Sequence, residues 1–305
     1  MTSLSGRPEP LAPAASLRTP LWLLALITLS GTLAMHIFVP ALPLAAKALG
    51  ATSHAAQLTL STYIAGLAVG QLVYGPVSDR FGRRPVLIAG MLIYTAASLA
   101  AIFAPTVEML IVARLFQALG GCSGLVLGRA LVRDGASGAE AARKLSLMNL
   151  MTMAGPGLSP LIGSALAETT GWRSIFVALT LLGLVNLALI HALLRDRPAA
   201  HGNDVRQVMR NYLSLLRSRA FLGYTIGGGC ATTALYAYIG AAPFIFVNQL
   251  HRPTYEVGAY LAINVVGVWF GSLAASRAVT RMPTARLMIL GNVISCLAAT
   301  LFLVA

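Results

Sequence analysis

The sequence predicts an all-α polytopic membrane protein, and three observations point to this class. The chain has 305 residues, of which 57% are hydrophobic and only 10% are charged, whereas a water-soluble domain carries about 25% charged residues. The few charges lie in short clusters between long apolar stretches. The basic clusters fall in alternate connections. Although the net charge is +13, this pattern excludes water-soluble enzymes, nucleic-acid-binding domains and disordered proteins.

Nine apolar stretches are long enough to cross a bilayer, which takes about 20 mostly apolar residues in a helix. They cover residues 21–42, 58–77, 86–104, 107–128, 145–165, 175–194, 221–246, 257–275 and 287–305. The first stretch follows a polar leader, residues 1–20, as a cleaved signal peptide would. Its apolar run is longer than that of a signal peptide, and eight more stretches follow. We therefore predict nine spans.

The basic residues predict the orientation of these spans. Only Lys47, Arg173 and Arg252 lie in the connections on the far side, and Arg114 lies within the fourth stretch. The rest of the 22 Lys and Arg residues lie in the leader and in the connections on its side. Because basic loops stay in the cytoplasm, the N-terminus is predicted to be cytoplasmic. The same bias in every connection supports the count of nine spans.

The longest polar connection, residues 195–219, divides the chain into two parts. A six-helix bundle, residues 21–194, precedes this basic cytoplasmic linker, and about three helices, residues 220–305, follow it. Two bundles joined in this way suggest an internal repeat.

The predicted spans contain few groups that could carry chemistry. All nine Asp and Glu residues lie in connections or at the ends of stretches. Cys122, Cys230 and Cys296 lie within apolar stretches and lack the spacing of a metal site. With no paired carboxylates, metal cluster or activated nucleophile in the spans, we predict neither an enzyme nor a metal protein.

Arg114 and His36 are the ionisable residues well inside the predicted spans. Such residues are costly in a membrane and often mark a functional site. Arg114 could extend its side chain to the outer headgroups, or it could be buried and donate hydrogen bonds around a central cavity, with Gln117 on the same face. His36 could be a neutral imidazole with a satisfied N–H group, or a site that binds and releases protons near neutral pH.

Residues 75–85 form the most specific motif, Gly-Pro-Val-Ser-Asp-Arg-Phe-Gly-Arg-Arg-Pro, predicted as a tight cytoplasmic turn. Gly82 permits a backbone conformation that other residues resist, and Asp79 can accept hydrogen bonds from arginines or backbone N–H groups. A basic loop that only sets the topology is the simpler alternative. The order of an acid, a glycine and two arginines favours a latch between the two bundles.

The fifth stretch contains Gly155, Pro156, Gly157, Pro160 and Gly163. Proline removes a helical hydrogen bond, so this segment is predicted to break or kink its helix. Close helix packing through small residues is an equally good interpretation.

These motifs together resemble the major facilitator superfamily. Residues 75–84 are similar to its signature between helices 2 and 3, and residues 114–118, Arg-Leu-Phe-Gln-Ala, to its helix 4 signature, from which Ala118 departs. Residues 155–163 resemble the helix 5 signature of its antiporters. Residues 37–43, 171–176 and 238–244 are similar to the Bcr/CflA-type drug-resistance transporters.

The resemblance implies a transporter that exports small amphiphilic drugs, similar to chloramphenicol or bicyclomycin, across the bacterial inner membrane in exchange for protons. Such a protein needs no cofactor beyond the proton gradient, and we expect a monomer that binds no nucleic acid. His36 and Arg114 are expected to couple protons. The latch would comprise Gly75, Asp79, Arg80, Gly82, Arg83 and Arg84, with Asp134 as their partner. By size or polarity, we expect the substrate cavity to be lined by Tyr63, Gln117, Met153, Tyr238 and Asn264.

Two departures from the family leave alternatives open. Family members commonly carry an acid where this chain has His36, so coupling would pass through an imidazole or take another route. The family has twelve spans, and nine are predicted here, which implies a six-helix N-terminal bundle with an incomplete C-terminal bundle. An importer of a small metabolite and a truncated, non-transporting membrane subunit are the alternative functions.

Overall fold

The computed structural model describes residues 19–194, 205–279 and 281–304, and within these ranges the chain forms helices and turns without strands. Most of the predicted leader, residues 1–18, and the first part of the predicted linker, residues 195–204, lie outside the described residues. The described helices are α1 Leu21–Ile37, α2 Leu42–Ala48, α3 Ser53–Phe81, α4 Arg83–Ile102, α5 Val107–Asp134, α6 Gly138–Thr169, α7 Arg173–Leu193, α8 Val205–Arg217, α9 Arg219–Phe244, α10 Thr254–Ala278 and α11 Thr284–Val304.

The described residues contain 8 helical segments long and apolar enough to cross a membrane. A further apolar segment, Ala285–Leu301, forms most of α11. The structure therefore confirms an all-α, polytopic architecture. The first segment is longer than the predicted span, residues 21–42, because it runs from Leu21 to Ala48 with a 3-10 turn at Val39–Ala41. Pro40 and Pro43 lack the N–H groups that a continuous helix would need there.

The predicted turn at residues 75–85 is shorter than the sequence indicated. Helix α3 continues to Phe81, which places Asp79 and Arg80 on its last turn, and Gly82 alone separates α3 from α4. Gly82 has φ of +93°, a conformation that side-chain-bearing residues rarely adopt. A single glycine thus reverses the chain between two spans.

The linker also differs from the prediction of a plain polar connection. Its second half forms helix α8, Val205–Arg217, and Ser218 caps the next helix by accepting a hydrogen bond from the Phe221 N–H group. A described element therefore lies between the two groups of spans.

Helix α5 is the centre of the N-terminal bundle and packs against α1, α3 and α4. Close approach depends on Gly120, where an added Cβ would lie 2.6 Å from the Gly90 carbonyl oxygen and 2.7 Å from the Tyr94 Cα atom. Small residues at a helix interface let backbones approach in this way. The helices after the linker rest on one side of this bundle, α10 against α6 and α9 against α2 and α3.

Candidate functional site: a buried arginine beside an inter-bundle cavity

Arg114 is fully buried in the centre of the N-terminal bundle. Its Nη1 atom donates to the Ala34 carbonyl of α1 at 2.9 Å and to Oε1 of Gln117 at 2.6 Å. Gln117 in turn donates through Nε2 to the Ser98 hydroxyl of α4 at 2.7 Å. The structure therefore matches the buried alternative for Arg114, not the one in which the side chain extends to the outer headgroups.

Two aromatic rings accompany the guanidinium group. Its Cζ atom lies 4.1 Å from the ring centroid of Tyr63 and 5.4 Å from that of Phe38. Both distances are within the range of cation–π attraction. The Nε and Nη2 atoms of Arg114 have no hydrogen-bond partner among the described residues, and the two rings supplement the hydrogen bonds that Nη1 donates.

Tyr63 and Gln117 were predicted to line the substrate cavity. Both side chains are fully buried, and neither lines the two cavities described below. Tyr63 instead donates its hydroxyl to the Gly31 carbonyl of α1 at 2.7 Å. Residue type identified these two as polar groups within spans, but only the packing shows that both contact Arg114.

His36 lies on α1 two residues after Ala34, the backbone contact of the arginine. Its Nδ1 atom is 2.8 Å from the Thr32 carbonyl oxygen. Because a carbonyl only accepts, Nδ1 carries the hydrogen in this bond, and Nε2 is the nitrogen that can take up a further proton. Arg114 lies within electrostatic range of this imidazole. The two residues predicted to couple protons are therefore close together, around residues 34–36 of α1.

A cavity of about 220 Å³ opens beside His36, between α1 and α6 on one side and α9 and α10 on the other. Its wall is mostly apolar, with four polar side chains. The lining residues are Thr32, His36, Val39, Met153, Pro156, Pro160, Leu235, Tyr236, Ile239, Leu261, Asn264, Val265 and Val268. A mostly apolar cleft with a few placed polar groups is typical of a small-molecule site.

A second, wider cavity of about 870 Å³ lies between α3 and α9 and is more polar. Gln57, Ser61 and Gln71 contribute from α3, and Thr232 and Thr233 from α9. Tyr236 lines both cavities, and its ring centroid is 6.3 Å from that of His36. Tyr236 thus forms the boundary between the apolar and the polar space.

Of the other three residues predicted to line the substrate cavity, two line the cavity beside His36 and one does not. Met153 and Asn264 line the cavity beside His36. Tyr238 is half-buried but lines neither of these cavities, whereas Tyr236 does. Two residues along a helix turn a side chain by about 200°, so Tyr236 and Tyr238 point in different directions from α9. In the cavity beside His36, Thr32 and Tyr236 are the polar lining residues that the sequence did not single out.

The motif at residues 75–85 forms an ionic cluster at one end of the N-terminal bundle. Arg83 lies between two acids, with Nη2 2.8 Å from Asp79 Oδ1 and Nε 3.2 Å from Asp134 Oδ2. It also donates to the Ser78 hydroxyl. Asp134 and the motif thus meet, as expected from the resemblance.

The remaining motif residues make contacts within the same bundle. Arg84 donates to the His191 carbonyl at the end of α7 at 3.1 Å, and the Arg80 guanidinium lies 5.3 Å from the Phe81 ring centroid. Around Gly75, a Cβ would meet nothing within 4 Å. These contacts lie among α3, α4, α5 and α7, and a latch between the two bundles stays a prediction.

Helix α6 continues without interruption through Pro156 and Pro160, so the segment does not break the helix. Gly155 and Gly163 face α1, where an added Cβ would collide with the Leu29 side chain and the Ile37 carbonyl. Close packing through small residues is therefore present, and both prolines line the cavity beside His36. One face of this segment packs against α1, and another face forms part of the cavity wall.

A bundle of long apolar helices with a cleft between its two groups is typical of membrane transporters. The model of the Major Facilitator Superfamily matches residues 24–305, and the chain belongs to this family.

Curated relatives of the chain include drug-resistance proteins of that family. It is 31% identical to an uncharacterized MFS-type transporter, YdgK, of Bacillus subtilis, over 84% of this chain and 65% of the relative. It is 33% identical to a chloramphenicol resistance protein of Pseudomonas aeruginosa, over 77% of this chain and 56% of the relative. It is 27% identical to a bicyclomycin resistance protein homologue of Haemophilus influenzae, over 85% and 66%. These relatives confirm the resemblance to Bcr/CflA-type transporters.

Solved structures show the same fold. A bacterial homologue of the human lysosomal transporter Spinster, in an inward-facing unoccupied conformation, aligns over 89% of this chain and 65% of its own, with a TM-score of 0.70 and 15% identity. A D-xylose–proton symporter aligns over 86% and 69%, with a TM-score of 0.64 and 15% identity. The chain spans about two thirds of the length of its first curated relatives.

Proposed function

We propose that this protein exports small amphiphilic drugs across the bacterial inner membrane in exchange for protons. The observation that carries the proposal is the position of His36, which lines an inter-bundle cavity and lies beside the buried Arg114 network.

The cavity wall supports an amphiphilic substrate. Leu261, Val265 and Val268 offer an apolar surface, and Asn264 and Tyr236 offer hydrogen-bonding groups. Met153 adds a flexible, polarizable side chain of the kind found at adaptable binding surfaces. Curated relatives named for chloramphenicol and bicyclomycin resistance support the same substrate class.

Proton exchange is supported by the chemistry of His36 and Arg114. With Nδ1 engaged by Thr32, Nε2 is the nitrogen that can exchange a proton, and imidazole is the side chain whose charge ordinarily changes near neutral pH. Arg114 lies within electrostatic range, so the charge on His36 and the Arg114 network influence each other. A drug entering the cavity would therefore compete with a proton on His36, and the proton gradient would supply the energy without a cofactor.

The orientation and assembly are part of the proposal. The excess of basic residues in alternate connections supports a cytoplasmic N-terminus. The Asp79–Arg83–Asp134 cluster then lies on the cytoplasmic side, where it would latch the bundles in one of the two alternating conformations. We propose that the protein acts as a monomer.

The decisive experiment measures drug movement by the full protein in proteoliposomes. We expect chloramphenicol to accumulate against its gradient when protons flow in the opposite direction. Proton-driven accumulation of the drug should fall several-fold in the His36→Gln variant. Drug–drug exchange, which moves no net proton, should continue. His54→Gln is the matched control, because His54 is exposed at the start of α3.

The alternatives predict other results. Drug or metabolite uptake in the same direction as protons would identify an importer. A chain that inserts stably and co-purifies with another membrane protein, but moves no substrate, would identify a non-transporting subunit. An unchanged pH dependence in His36→Gln would exclude His36 from the coupling.

A further inference from the structure

Helix α8, Val205–Arg217, carries two chemically distinct faces. Met209, Leu213 and Leu216 follow one another at intervals of four and three residues, so they share one face. These side chains are 56%, 49% and 57% exposed, which means that no described part of the protein covers them. Arg210 and Arg217, seven residues apart, share another face and are also exposed. An apolar stripe of this kind in a short helix needs a covering surface.

The charge on α8 is of one sign. The sequence Val-Arg-Gln-Val-Met-Arg-Asn-Tyr-Leu-Ser-Leu-Leu-Arg contains three arginines and no acid, and Arg219 opens the next helix. Clustered arginines beside a membrane attract anionic lipid headgroups. A surface that is apolar on one face and cationic on the other matches a leaflet that contains anionic phospholipid.

A hydrogen bond fixes α8 to a membrane-spanning helix. The Tyr212 hydroxyl donates to the Leu72 carbonyl of α3 at 2.9 Å. In a regular helix that carbonyl would accept from residue 76, but Pro76 has no N–H group. Tyr212 therefore supplies the donor that the proline removes, on the same face of α8 as Leu216, four residues further on.

The position of Leu72 sets the depth of α8. Helix α3 has 29 residues, so it is about 43 Å long, which exceeds the roughly 30 Å hydrocarbon core. Leu72 lies nine residues before its end, or about 13 Å along the axis. With the excess length shared between its two ends, about 7 Å of α3 extends beyond the hydrocarbon on this side, so the Tyr212 hydroxyl lies about 6 Å inside the hydrocarbon boundary. Interfacial helices insert their apolar face to this depth.

We propose that α8 is an interfacial membrane-binding helix. Its apolar face lies among the acyl chains of the leaflet that borders the Asp79–Arg83–Asp134 cluster, and Arg210 and Arg217 bind the phosphate groups of anionic lipids. Tyr212 anchors it to α3 just before the motif at residues 75–85. The inference does not depend on which substrate the protein carries.

Spin labels on two positions of α8 test the proposal in the full protein. Leu216→Cys places a label on the apolar face, and Ser214→Cys places one about 200° around the helix. Both would be made with Cys230→Ser and Cys296→Ser, because these two native cysteines are exposed whereas Cys122 is buried. Accessibility to oxygen, which dissolves in lipid, is compared with accessibility to a water-soluble nickel chelate.

In vesicles of phosphatidylcholine with phosphatidylglycerol, we expect the oxygen-to-nickel ratio at 216 to exceed that at 214 several-fold. Removing phosphatidylglycerol should lower the ratio at 216. The Arg210→Gln/Arg217→Gln pair should abolish that dependence on lipid charge. The Arg281→Gln/Arg286→Gln pair removes the same charge from another exposed segment and should leave the dependence intact. Matching thermal unfolding of the variants excludes a general loss of fold.

Three results would overturn the proposal. Equal exposure of both labels to the nickel chelate would mean that α8 lies in water. Shielding of both labels from both reagents would mean that protein, rather than lipid, covers the helix. An oxygen-to-nickel ratio at 216 that does not change when phosphatidylglycerol is removed would show that Arg210 and Arg217 do not bind anionic lipid. An equal dependence on lipid charge in the Arg210→Gln/Arg217→Gln and Arg281→Gln/Arg286→Gln variants would show the same.

Discussion

Arg114 and Tyr63 form a cation–π pair at the centre of the N-terminal bundle, with the guanidinium carbon 4.1 Å from the ring centroid. Tyr63 also bonds to the backbone of α1 at Gly31, and Arg114 bonds to the same helix at Ala34. One pair of side chains from α3 and α5 thus fixes α1 just before His36, the residue of that helix that lines the cavity. This relationship gives the buried cation a structural role as well as a role in the proposed coupling.

Replacing Arg114 by alanine should destabilise the protein strongly. The substitution removes two charge-assisted hydrogen bonds, each contributing about 1.5–3 kcal/mol, and leaves the Oε1 atom of Gln117 without the donor that Arg114 supplies. Thermal unfolding in detergent, followed by the recovery of monodisperse protein, measures the loss. Arg129→Ala is the control, because Arg129 lies on the same helix but is exposed. Equal stability of the two variants would contradict the structural role of Arg114.

Replacing Asp79 by asparagine should slow transport more than it weakens drug binding. Asp79 and Asp134 are 35% and 41% exposed, so each ion pair with Arg83 contributes at most about 1 kcal/mol to stability. Their effect should therefore appear in the rate of alternation. Comparing turnover with drug affinity in proteoliposomes tests this. Glu140→Gln, which breaks the exposed pair with Lys144, is the control, and normal turnover in Asp79→Asn would remove the latch assignment.

Replacing Gly120 by alanine should destabilise the N-terminal bundle. The new methyl group would meet the backbone of α4, with the Gly90 carbonyl oxygen at 2.6 Å, and backbone cannot move aside as a flexible side chain can. Overpacking of this kind costs about 1–3 kcal/mol. Gly228→Ala should instead stabilise the protein, because nothing lies within 4 Å of a Cβ there and alanine favours a helix by about 1 kcal/mol over glycine. Thermal unfolding of the two variants distinguishes them.

Replacing Tyr236 by alanine should change which drugs are recognised. Tyr236 lines both cavities and faces His36, so its removal joins the apolar and polar spaces. We expect the KM of transport to change more than the expression level does. The change in KM should differ from one drug to another. Tyr224→Ala provides the control on the same helix, because Tyr224 is 48% exposed and lines neither of the two cavities. Identical substrate profiles for the two variants would exclude Tyr236 from the substrate site.

The sequence was sufficient for the class of protein because bilayer length and composition act locally. Residues 107–128, for example, are apolar enough to define a span before any packing is known, and the structure has α5 there, from Val107 to Asp134. The resemblance to the family likewise depended on local motifs such as residues 75–85. Periodicity could not show that Gly82 alone forms the turn, or that α8 lies within the linker.

The site was only partly predictable because a side chain's role depends on the direction it faces. Arg114, His36, Met153 and Asn264 could be identified as unusual residues within spans. Tyr63 and Gln117 are also polar residues within spans, but both are fully buried against the arginine. That Tyr236 lines the cavity beside His36 depends on the rotation of α9 relative to α1, which no local pattern contains.

By itself, therefore, the sequence determined a multi-spanning helical protein of the Major Facilitator Superfamily, because hydrophobic length and short motifs are properties of contiguous residues. The tertiary structure decided which polar groups stabilise Arg114, which line the cavity beside His36, and where Tyr212 fixes α8 to α3. Those outcomes depend on contacts between residues far apart in the chain, such as Tyr212 with Leu72, and only the packing of helices brings such pairs together.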